Sequence, residues 1–446
     1  MASGRRSPVD LVEESLQRIA DLDRALNACT VVFADEARAA ALAAERTVAK
    51  SVELGRLHGV PVVVKDEIWI AGAPSTLGSR ALADFVPAED AVAVERLRRA
   101  GAIVIAKTAN PEYLWSDDCT RSELYGVTRN PWNPDRSPGA SSGGSAAAVA
   151  AGMAPLAIGS DAGGSIRKPA SRCGIAGLKP TYGLIPYAPA HGLWSSLGVV
   201  GPMARTVRDL ALALSVLAGP DPRDALCLPH LGLDYPAAVE AGFDPRRVAW
   251  SLDLGIARVN QSVREVFGRA IGLLEGDGWN LEEAAPYLPD PLPIAVKLWL
   301  GELGPAPARI DLVEPSMRER FREAATISAH ELYQAQRERR QYARHWEEFF
   351  CDYDVLVTPT VPVGTPSADP APSTQSSIES SSFADPANLT GGPAVTVPMG
   401  LDDEGMPLGL QFMGPRFSDD RCLAAAARFE TLVEPRTPVC GPKLTV

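Results

Sequence analysis

Three residues of this sequence stand out for the chemistry that their surroundings would allow: Lys65, Ser141 and Ser165. Lys65 ends a short β-branched run, GVPVVVK, which is typical of a buried strand. The two serines lie in Gly/Ser-rich loops, SSGGS and AGGS, separated by an alanine-rich stretch. Glycine-rich loops let a ligand approach the backbone closely and meet its N–H groups. Ordinary packing does not require this arrangement, which therefore indicates a ligand site.

A serine hydroxyl is a weak nucleophile and needs a base within hydrogen-bond distance. The five histidines are scattered, none lies in a motif that places it beside a serine, and no GxSxG turn is present. Burial of Lys65 would lower its pKa by as much as about 3–5 units, and a neutral lysine amine can act as a general base. Two alternatives remain at this point. One is an exposed lysine at a strand end, and the other is a pair of loops that form helix N-caps or a phosphate cradle, although the GxxxxGKS/T pattern is missing.

The segments around all three residues resemble the motifs of the amidase signature family. VKD at Lys65, GASSGGSA around Ser141 and DAGGSIR around Ser165 are similar to its lysine segment and its two serine loops. Similar segments cover nearly the whole chain, among them RNPWNPDRSPG, GLKPTYG and NLTGGPAVTVP. The resemblance implies an amide hydrolase with a Ser–cisSer–Lys triad. Ser165 would attack the carbonyl, Ser141 (after a cis peptide) would relay the proton, and neutral Lys65 would accept it.

Three residues depart from the family's pattern. Ala140 and Ala162 stand where the family has a glycine and a threonine, and Gly198 stands where it often has an acidic residue. Both alanines are small, so we expect these two positions to be tolerated.

The backbone around the predicted nucleophile has a role of its own. A tetrahedral intermediate carries an oxyanion, and one fixed N–H donor can lower the barrier by roughly 3–4 kcal/mol. The predicted donors are the backbone N–H groups of Ala162, Gly163, Gly164 and Ser165. Asp161 and Arg167 flank this loop, where we expect a structural ion pair or backbone caps rather than direct catalysis.

Aromatic residues are the candidates for a substrate pocket. Trp115, Tyr113 and Tyr125 lie in a long irregular loop at 110–136, a kind of segment that is often functional. Aromatic side chains in such loops line an acyl or aryl pocket or anchor the loop itself, and the sequence leaves both open. Trp299 is a further candidate for the pocket. It belongs to the region 290–350, which is helical and charged without strand signals and which we interpret as a helical insertion or lid.

Composition narrows the class of protein. The chain has 446 residues, of which 46% are hydrophobic and 22% charged, as in soluble globular proteins. Its net charge of −12 argues against a nucleic-acid partner. Seven cysteines without CxxC spacing and the lack of an HExxH motif argue against a metal site, and no cofactor is implied. Neither an export signal nor a run of about 18 apolar residues is evident, so we expect no membrane association and a cytoplasmic location.

The order of elements predicts one α/β domain over residues 1–446. A helix at 90–100 followed by a strand at 102–108 comes after the strand that ends at Lys65, and this order favours parallel pairing. Further helices are predicted at 205–218, 261–275 and 419–432, and further strands at 248–252, 354–362, 394–398 and 408–413. The predicted fold is a mixed, mostly parallel sheet between helices, with the two serine loops and the lysine at its carboxyl-end crevice.

The favoured function is hydrolysis of the C–N bond of small or aryl amides, with carbamates (urethanes) and esters as near neighbours of the same mechanism. Such an enzyme would act on small molecules as a monomer or homo-oligomer. The alternative is the glutamine-hydrolysing component of an aminoacyl-tRNA amidotransferase, which would work with partners. A third interpretation, a catalytically silent binding protein on the same scaffold, is disfavoured because the lysine and both serines are present.

Overall fold

The structure, a computed structural model, describes residues 6–48, 53–116, 118–245, 247–369, 383–434 and 437–438. The α-helices of these residues are α1 (Pro8–Leu26), α2 (Ala34–Val48), α3 (Val92–Arg99), α4 (Gly143–Ala150), α5 (Arg167–Cys173), α6 (Val207–Leu217), α7 (Tyr235–Ala241), α8 (Gln261–Gly276), α9 (Leu292–Gly301), α10 (Pro315–Thr326), α11 (Ala329–Phe349), α12 (Asp385–Thr390) and α13 (Asp419–Glu430). The strands are β1 (Cys29–Val32), β2 (Pro61–Lys65), β3 (Ile103–Thr108), β4 (Arg121–Ser122), β5 (Gly126–Val127), β6 (Leu156–Asp161), β7 (Ala176–Lys179), β8 (Val199–Ala204), β9 (Val248–Trp250), β10 (Leu281–Glu283), β11 (Val355–Pro359), β12 (Ala394–Leu401) and β13 (Pro407–Met413).

Within the described residues, eleven strands form one sheet in the order β1-β3-β2-β6-β8-β7-β12-β13-β11-β9-β10, and β4 and β5 form a small hairpin. β2 pairs in parallel with β3 and β6, and β9 pairs in parallel with β11 and β10. In the centre of the sheet, the successive pairs β6–β8, β8–β7, β7–β12, β12–β13 and β13–β11 are all antiparallel. The pair β1–β3 at one edge is also antiparallel. The predicted mixed sheet with helices on both faces is confirmed. The expectation that it is mostly parallel is not, because six of its ten described strand pairs are antiparallel and the four parallel pairs lie on the two flanks.

Apolar side chains cover both faces of this sheet. In β2, Val62 and Val64 pack into one hydrophobic core and Val63 into another, because successive side chains of a strand point to opposite faces. Residues of α3, α6, α8 and α13 belong to the first core. The second face is covered in two halves, by α1, α2, α4 and α5 near β2 and by α9, α10 and α11 near β9 and β11.

The region 290–350 is helical, as predicted, and it packs on the sheet. Leu298 of α9 and Trp346 of α11 share a core with Leu356 of β11 and Met413 of β13. These helices therefore cover half of one face of the sheet. Whether the segment acts as a lid stays a prediction.

The parallel pairing of β2 and β6 positions the site. Val64 is paired with Ile158, so the carboxyl ends of both strands lie at the same edge of the sheet. Lys65 ends β2 and Asp161 ends β6. Ligands of α/β sheets bind in crevices at such carboxyl ends, and this is where the serine loops are found.

Five strands of the large sheet were not predicted: β1, β6, β7, β8 and β10. β6 (LAIGSD) is rich in small residues and follows an alanine-rich helix, so it lacks the β-branched signal of β2. Its burial between two neighbouring strands makes it a strand.

Among the residues that the structure describes, no helix has both the length and the apolar character to span a bilayer.

Candidate active site

Lys65 is completely buried at the end of β2. Its Nζ donates hydrogen bonds to Ser141 Oγ at 2.7 Å and to Ser160 Oγ at 2.9 Å. Ser141 is 1% exposed and Ser160 is 4% exposed. The interpretation of Lys65 as an exposed strand-end lysine is therefore wrong, and the lysine and the first serine loop meet directly.

Burial lowers the pKa of Lys65 to about 8, although the charges of Glu67, Asp161 and Asp66 act in the opposite direction. Desolvation disfavours the ammonium form, and the carboxylates restore part of its stability. A lysine with such a pKa is partly neutral near physiological pH. The amine can therefore accept a proton from the hydroxyl that it contacts.

The two serine loops are joined to each other. The Ala140–Ser141 peptide bond is cis, as the resemblance implied. Ser142 follows it, and its backbone N–H donates to the carbonyl oxygen of Ser165 at 3.1 Å. Ser165 itself is partly exposed and lines the same cavity as Ser141. The structure thus brings Lys65, Ser141 and Ser165 to one place.

Asp161 holds the loop that carries Ser165. Its Oδ1 accepts the backbone N–H of Gly164 at 2.8 Å, and its Oδ2 accepts that of Ile166 at 3.1 Å. Gly164 has a φ of +92°, a conformation that residues with a Cβ rarely adopt. The carboxylate therefore fixes a loop geometry that depends on glycine.

Arg167 holds Asp161 in turn. The two fully buried side chains form an ion pair at 2.9 Å, which confirms the predicted structural pair. The guanidinium also donates to Gln411 Oε1, to Asn388 Oδ1 and to the carbonyl oxygen of Ala384. Burial alone would raise the pKa of the Asp161 carboxyl, but the charge and hydrogen bonds of Arg167 outweigh it and hold that pKa well below its usual range. The ion pair with Arg167 thus favours the ionised carboxylate.

A cavity of about 170 Å³ opens beside Ser141 and Ser165, and tryptophans form much of its wall. The rings of Trp115 and Trp299 meet edge-on with centroids 6.1 Å apart, and Trp194 lies at 6.1 Å from Trp115. Such geometry is typical of packed aromatic pairs. The cavity therefore offers flat apolar walls next to the serines.

Trp299 also contacts the loop of Ser165. Its Nε1 donates to the carbonyl oxygen of Ala162 at 3.0 Å. A Cβ placed at Gly163 would lie 2.4 Å from Trp299 Cζ2, so only glycine leaves room for the ring. Trp194 Nε1 donates to the carbonyl oxygen of Trp299 at 3.0 Å. α9 is thus tied to the serine loop by consecutive hydrogen bonds.

Of the predicted pocket residues, Trp115 and Trp299 line the cavity. Tyr113 and Tyr125 do not belong to its wall as far as the structure describes it. The ring of Tyr113 packs edge-on against Phe321 at 5.0 Å, and the hydroxyl of Tyr125 accepts a hydrogen bond from Thr76 Oγ1 at 3.2 Å. For these two residues the structure favours the alternative of loop anchors.

Sequence reasoning missed seven residues of the described cavity wall, among them the large or charged side chains of Trp194, Lys168 and Arg320. The Arg320 guanidinium lies 5.3 Å from the ring centroid of Trp115 and pairs with Glu323 at 2.6 Å. Nothing in the charged sequence of α10 distinguishes Arg320 from the solvated arginines around it. Gly198, one of the three departures from the family pattern, lies behind Trp194. A Cβ at position 198 would be 3.1 Å from the carbonyl oxygen of Trp194.

The comparison with protein families agrees with this site. The Amidase family model matches residues 10–423, and the chain belongs to this family, whose members are the amidase signature enzymes. It is therefore an amidase, a hydrolase that acts on carbon–nitrogen bonds.

Individual relatives divide between two activities. The chain is 35% identical to an acylamidase of Rhodococcus erythropolis over 97% of its own length and 93% of the relative. It is 36% identical to a glutamyl-tRNA(Gln) amidotransferase subunit of Roseiflexus castenholzii over 97% and 94% of the two chains. Among solved structures, a bacterial aryl acylamidase of the amidase signature family matches with a TM-score of 0.89 and 29% identity, covering 97% of this chain and 94% of the other.

Proposed function

We propose that this chain hydrolyses small or aryl amides through an acyl-enzyme on Ser165, and that carbamates and esters also react. The observation that carries the proposal is the 2.7 Å hydrogen bond from the fully buried Lys65 to Ser141, a serine that lines the same cavity as Ser165. A buried amine in contact with a hydroxyl is an arrangement that activates serine without histidine.

In the proposed acylation step, Ser165 Oγ attacks the substrate carbonyl carbon and loses its proton to Ser141 Oγ. Ser141 passes its own proton to Lys65 Nζ, which becomes an ammonium group. When the tetrahedral intermediate collapses, the proton returns along the same path to the leaving nitrogen and the C–N bond breaks. Water then attacks the acyl-enzyme by the same relay and regenerates Ser165.

The oxyanion donors of this proposal are backbone N–H groups of the Ser165 loop. The N–H of Gly164 is already donated to Asp161, so we omit Gly164 from the predicted set of four. The N–H groups of Ala162, Gly163 and Ser165 remain. A loop held rigidly by Asp161 suits this role, because donors fixed before the reaction need no reorganisation.

The tryptophans support an aryl or small acyl substrate. Flat apolar walls next to Ser165 favour planar or compact groups, and two of the proteins similar to this chain are an acylamidase and an aryl acylamidase. In this proposal the enzyme is active without partners, as a cytoplasmic monomer or homo-oligomer.

A second candidate is the glutamine-hydrolysing component of an amidotransferase. The 36% identity to a glutamyl-tRNA(Gln) amidotransferase subunit favours it. Arg320 in the cavity wall would provide a cation for the carboxylate of glutamine. On this alternative the purified chain would need partners for its full reaction.

A substrate panel tests the proposal: p-nitroacetanilide, a p-nitrophenyl carbamate, hexanamide and glutamine, each with wild type and Ser165→Ala. We expect turnover of the anilide or carbamate that is lost in Ser165→Ala. Ser171→Ala is the matched control, since this buried serine of α5 has a hydroxyl without a hydrogen-bond partner among the described residues. Turnover of glutamine alone would favour the second candidate, and activity that survives Ser165→Ala would exclude the mechanism.

A further inference from the structure

A buried carboxylate, that of Glu67, lies beside Lys65. Glu67 is 1% exposed, and its Oε1 is 3.9 Å from Lys65 Nζ. The hydroxyl of Tyr187 donates a hydrogen bond to the other oxygen, Oε2. Oε1 accepts no hydrogen bond from any described residue. A buried carboxylate oxygen with this arrangement needs a positive charge nearby, and the nearby amine is that of Lys65.

Two other carboxylates face Lys65, those of Asp66 and Asp161. Asp66 accepts two hydrogen bonds from Thr76, one from its backbone and one from its hydroxyl. Asp161 is held by the arginine and the loop amides described above. Both bonds from Thr76 go to Oδ2 of Asp66, and its Oδ1, like Oε1 of Glu67, accepts no hydrogen bond from a described residue. Asp66 faces the charge of Lys107, however, and the ion pair of Lys65 is formed with Glu67.

The surroundings of Glu67 fix its position. Besides Lys65, the buried Lys107 and His191 face it, together with the hydroxyl of Tyr187. Lys107 donates to a backbone carbonyl at 2.7 Å, and burial lowers the pKa of His191 to about 4, so its imidazole is neutral near pH 7. Glu67 therefore faces two amines, that of Lys107, which is hydrogen-bonded to a backbone carbonyl, and that of Lys65.

We propose that Glu67 is a positioning residue of the reaction, whose carboxylate orients Lys65 and stabilises the ammonium formed when Lys65 receives a proton. This inference rests on the proposed function. The proton moves from Ser165 to Ser141 and from Ser141 to Lys65, and later to the leaving nitrogen. Glu67 makes and breaks no covalent bond in these steps. Its role resembles that of the carboxylate that supports histidine in serine–histidine–aspartate enzymes.

The proposal makes a signed prediction for the pH dependence of kcat/KM. A carboxylate near Lys65 favours the ammonium form and raises the pKa of Lys65, against the effect of burial. Glu67→Gln removes that charge and lowers the pKa of the amine. Because the base must be neutral, the acid limb of kcat/KM then moves to lower pH, by about 1–2 units for a charge at this distance. The plateau falls about tenfold, because a less basic amine accepts the proton less readily.

The experiment measures kcat/KM from pH 5 to 10 for wild type, Glu67→Gln and Tyr187→Phe. Tyr187→Phe keeps the carboxylate but removes its hydrogen bond, so more of the negative charge acts on Lys65 and the limb moves to higher pH. Shifts of opposite sign support the proposal. Midpoints that stay at the wild-type pH in both variants overturn it, since a merely structural role would lower activity at every pH alike.

Two further outcomes are separable. If Glu67→Gln does not fold, Tyr187→Phe alone tests the proposal. An acid limb of kcat/KM that moves to higher pH supports the positioning role of Glu67, and an acid limb that stays in place or moves to lower pH refutes it. Activity that survives Ser165→Ala refutes the proposed function itself. An inactive Ser165→Ala together with unmoved midpoints refutes only the role of Glu67.

Discussion

The two sides of the cavity are built differently. On the polar side, Lys65, Ser141, Asp161 and Arg167 are at most 1% exposed and are held by hydrogen bonds at the ends of strands and in the loops after them. On the aromatic side, the partly exposed Trp115, Trp299 and Arg320 come from a loop and from two helices and meet mainly through ring contacts. The comparison teaches that the groups proposed for bond cleavage are fixed in place, whereas the groups proposed for substrate selection lie on elements that can vary independently.

The most direct test of the polar side is the variant Ser141→Ala. This variant removes the hydroxyl that Lys65 contacts and that the proposed relay needs, so we expect kcat to fall about 10²–10⁴-fold, the usual range for loss of proton transfer. KM should change little, because the tryptophans that are proposed to bind the substrate are unchanged. Steady-state kinetics with p-nitroacetanilide measure both quantities. A loss of less than tenfold in kcat would show that Ser141 relays no proton.

The difference between the sides also concerns stability. Arg167→Met leaves the buried charge of Asp161 uncompensated, and we expect the free energy of unfolding to fall by about 3–5 kcal/mol. The matched control is Arg320→Met on the aromatic side, which breaks a partly exposed pair with Glu323 and should cost about 1 kcal/mol or less. Urea unfolding of both variants tests the difference, and equal losses would contradict it.

The aromatic side is tested by Trp299→Ala. Loss of the ring beside Gly163 should reduce kcat/KM for p-nitroacetanilide about 10–100-fold and favour anilides with larger acyl groups. Trp299→Phe is the matched control, since it keeps a ring and removes the hydrogen bond to Ala162. A series of acyl lengths is the measurement. An equal loss for every acyl group would mean that Trp299 serves the loop only and not substrate selection.

The polar side also sets the pH dependence. In the proposed mechanism Lys65 must be neutral to act as the base, and burial lowers its pKa to about 8. The kcat/KM of the wild type should therefore rise about tenfold per pH unit up to pH 8 and then level off. A pH profile with an anilide substrate measures this limb. A midpoint near pH 4 or 6.5 would instead indicate a carboxylate or a histidine as the base.

The smallest effect is expected outside the cavity. Tyr125→Phe removes a hydroxyl that accepts a hydrogen bond from Thr76 and that lies apart from the described cavity wall. We expect kcat/KM to stay within about twofold of wild type. A larger loss of kcat/KM with one substrate and not with others would indicate that Tyr125 does contact the substrate.

The same division separates what the sequence could predict from what it could not. Lys65 and the two serines lie in short contiguous motifs, whose loops and strand ends are encoded locally. Trp194 and Arg320 reach the cavity only because their segments pack over the sheet, and no local pattern records that packing. The unpredicted strand β6 is similar, since its small residues form a strand through pairing with β2 and β8.

Trapping of the acyl-enzyme tests the central claim most directly. Wild type and Ser141→Ala would be quenched in acid during turnover of p-nitrophenyl acetate, and the acetylated peptide would be located by mass spectrometry. We predict an acetyl group on Ser165 in wild type and slower formation of the same adduct in Ser141→Ala. An adduct on Ser141, or turnover in wild type without any acetylated serine, would contradict the assignment of Ser165 as the nucleophile.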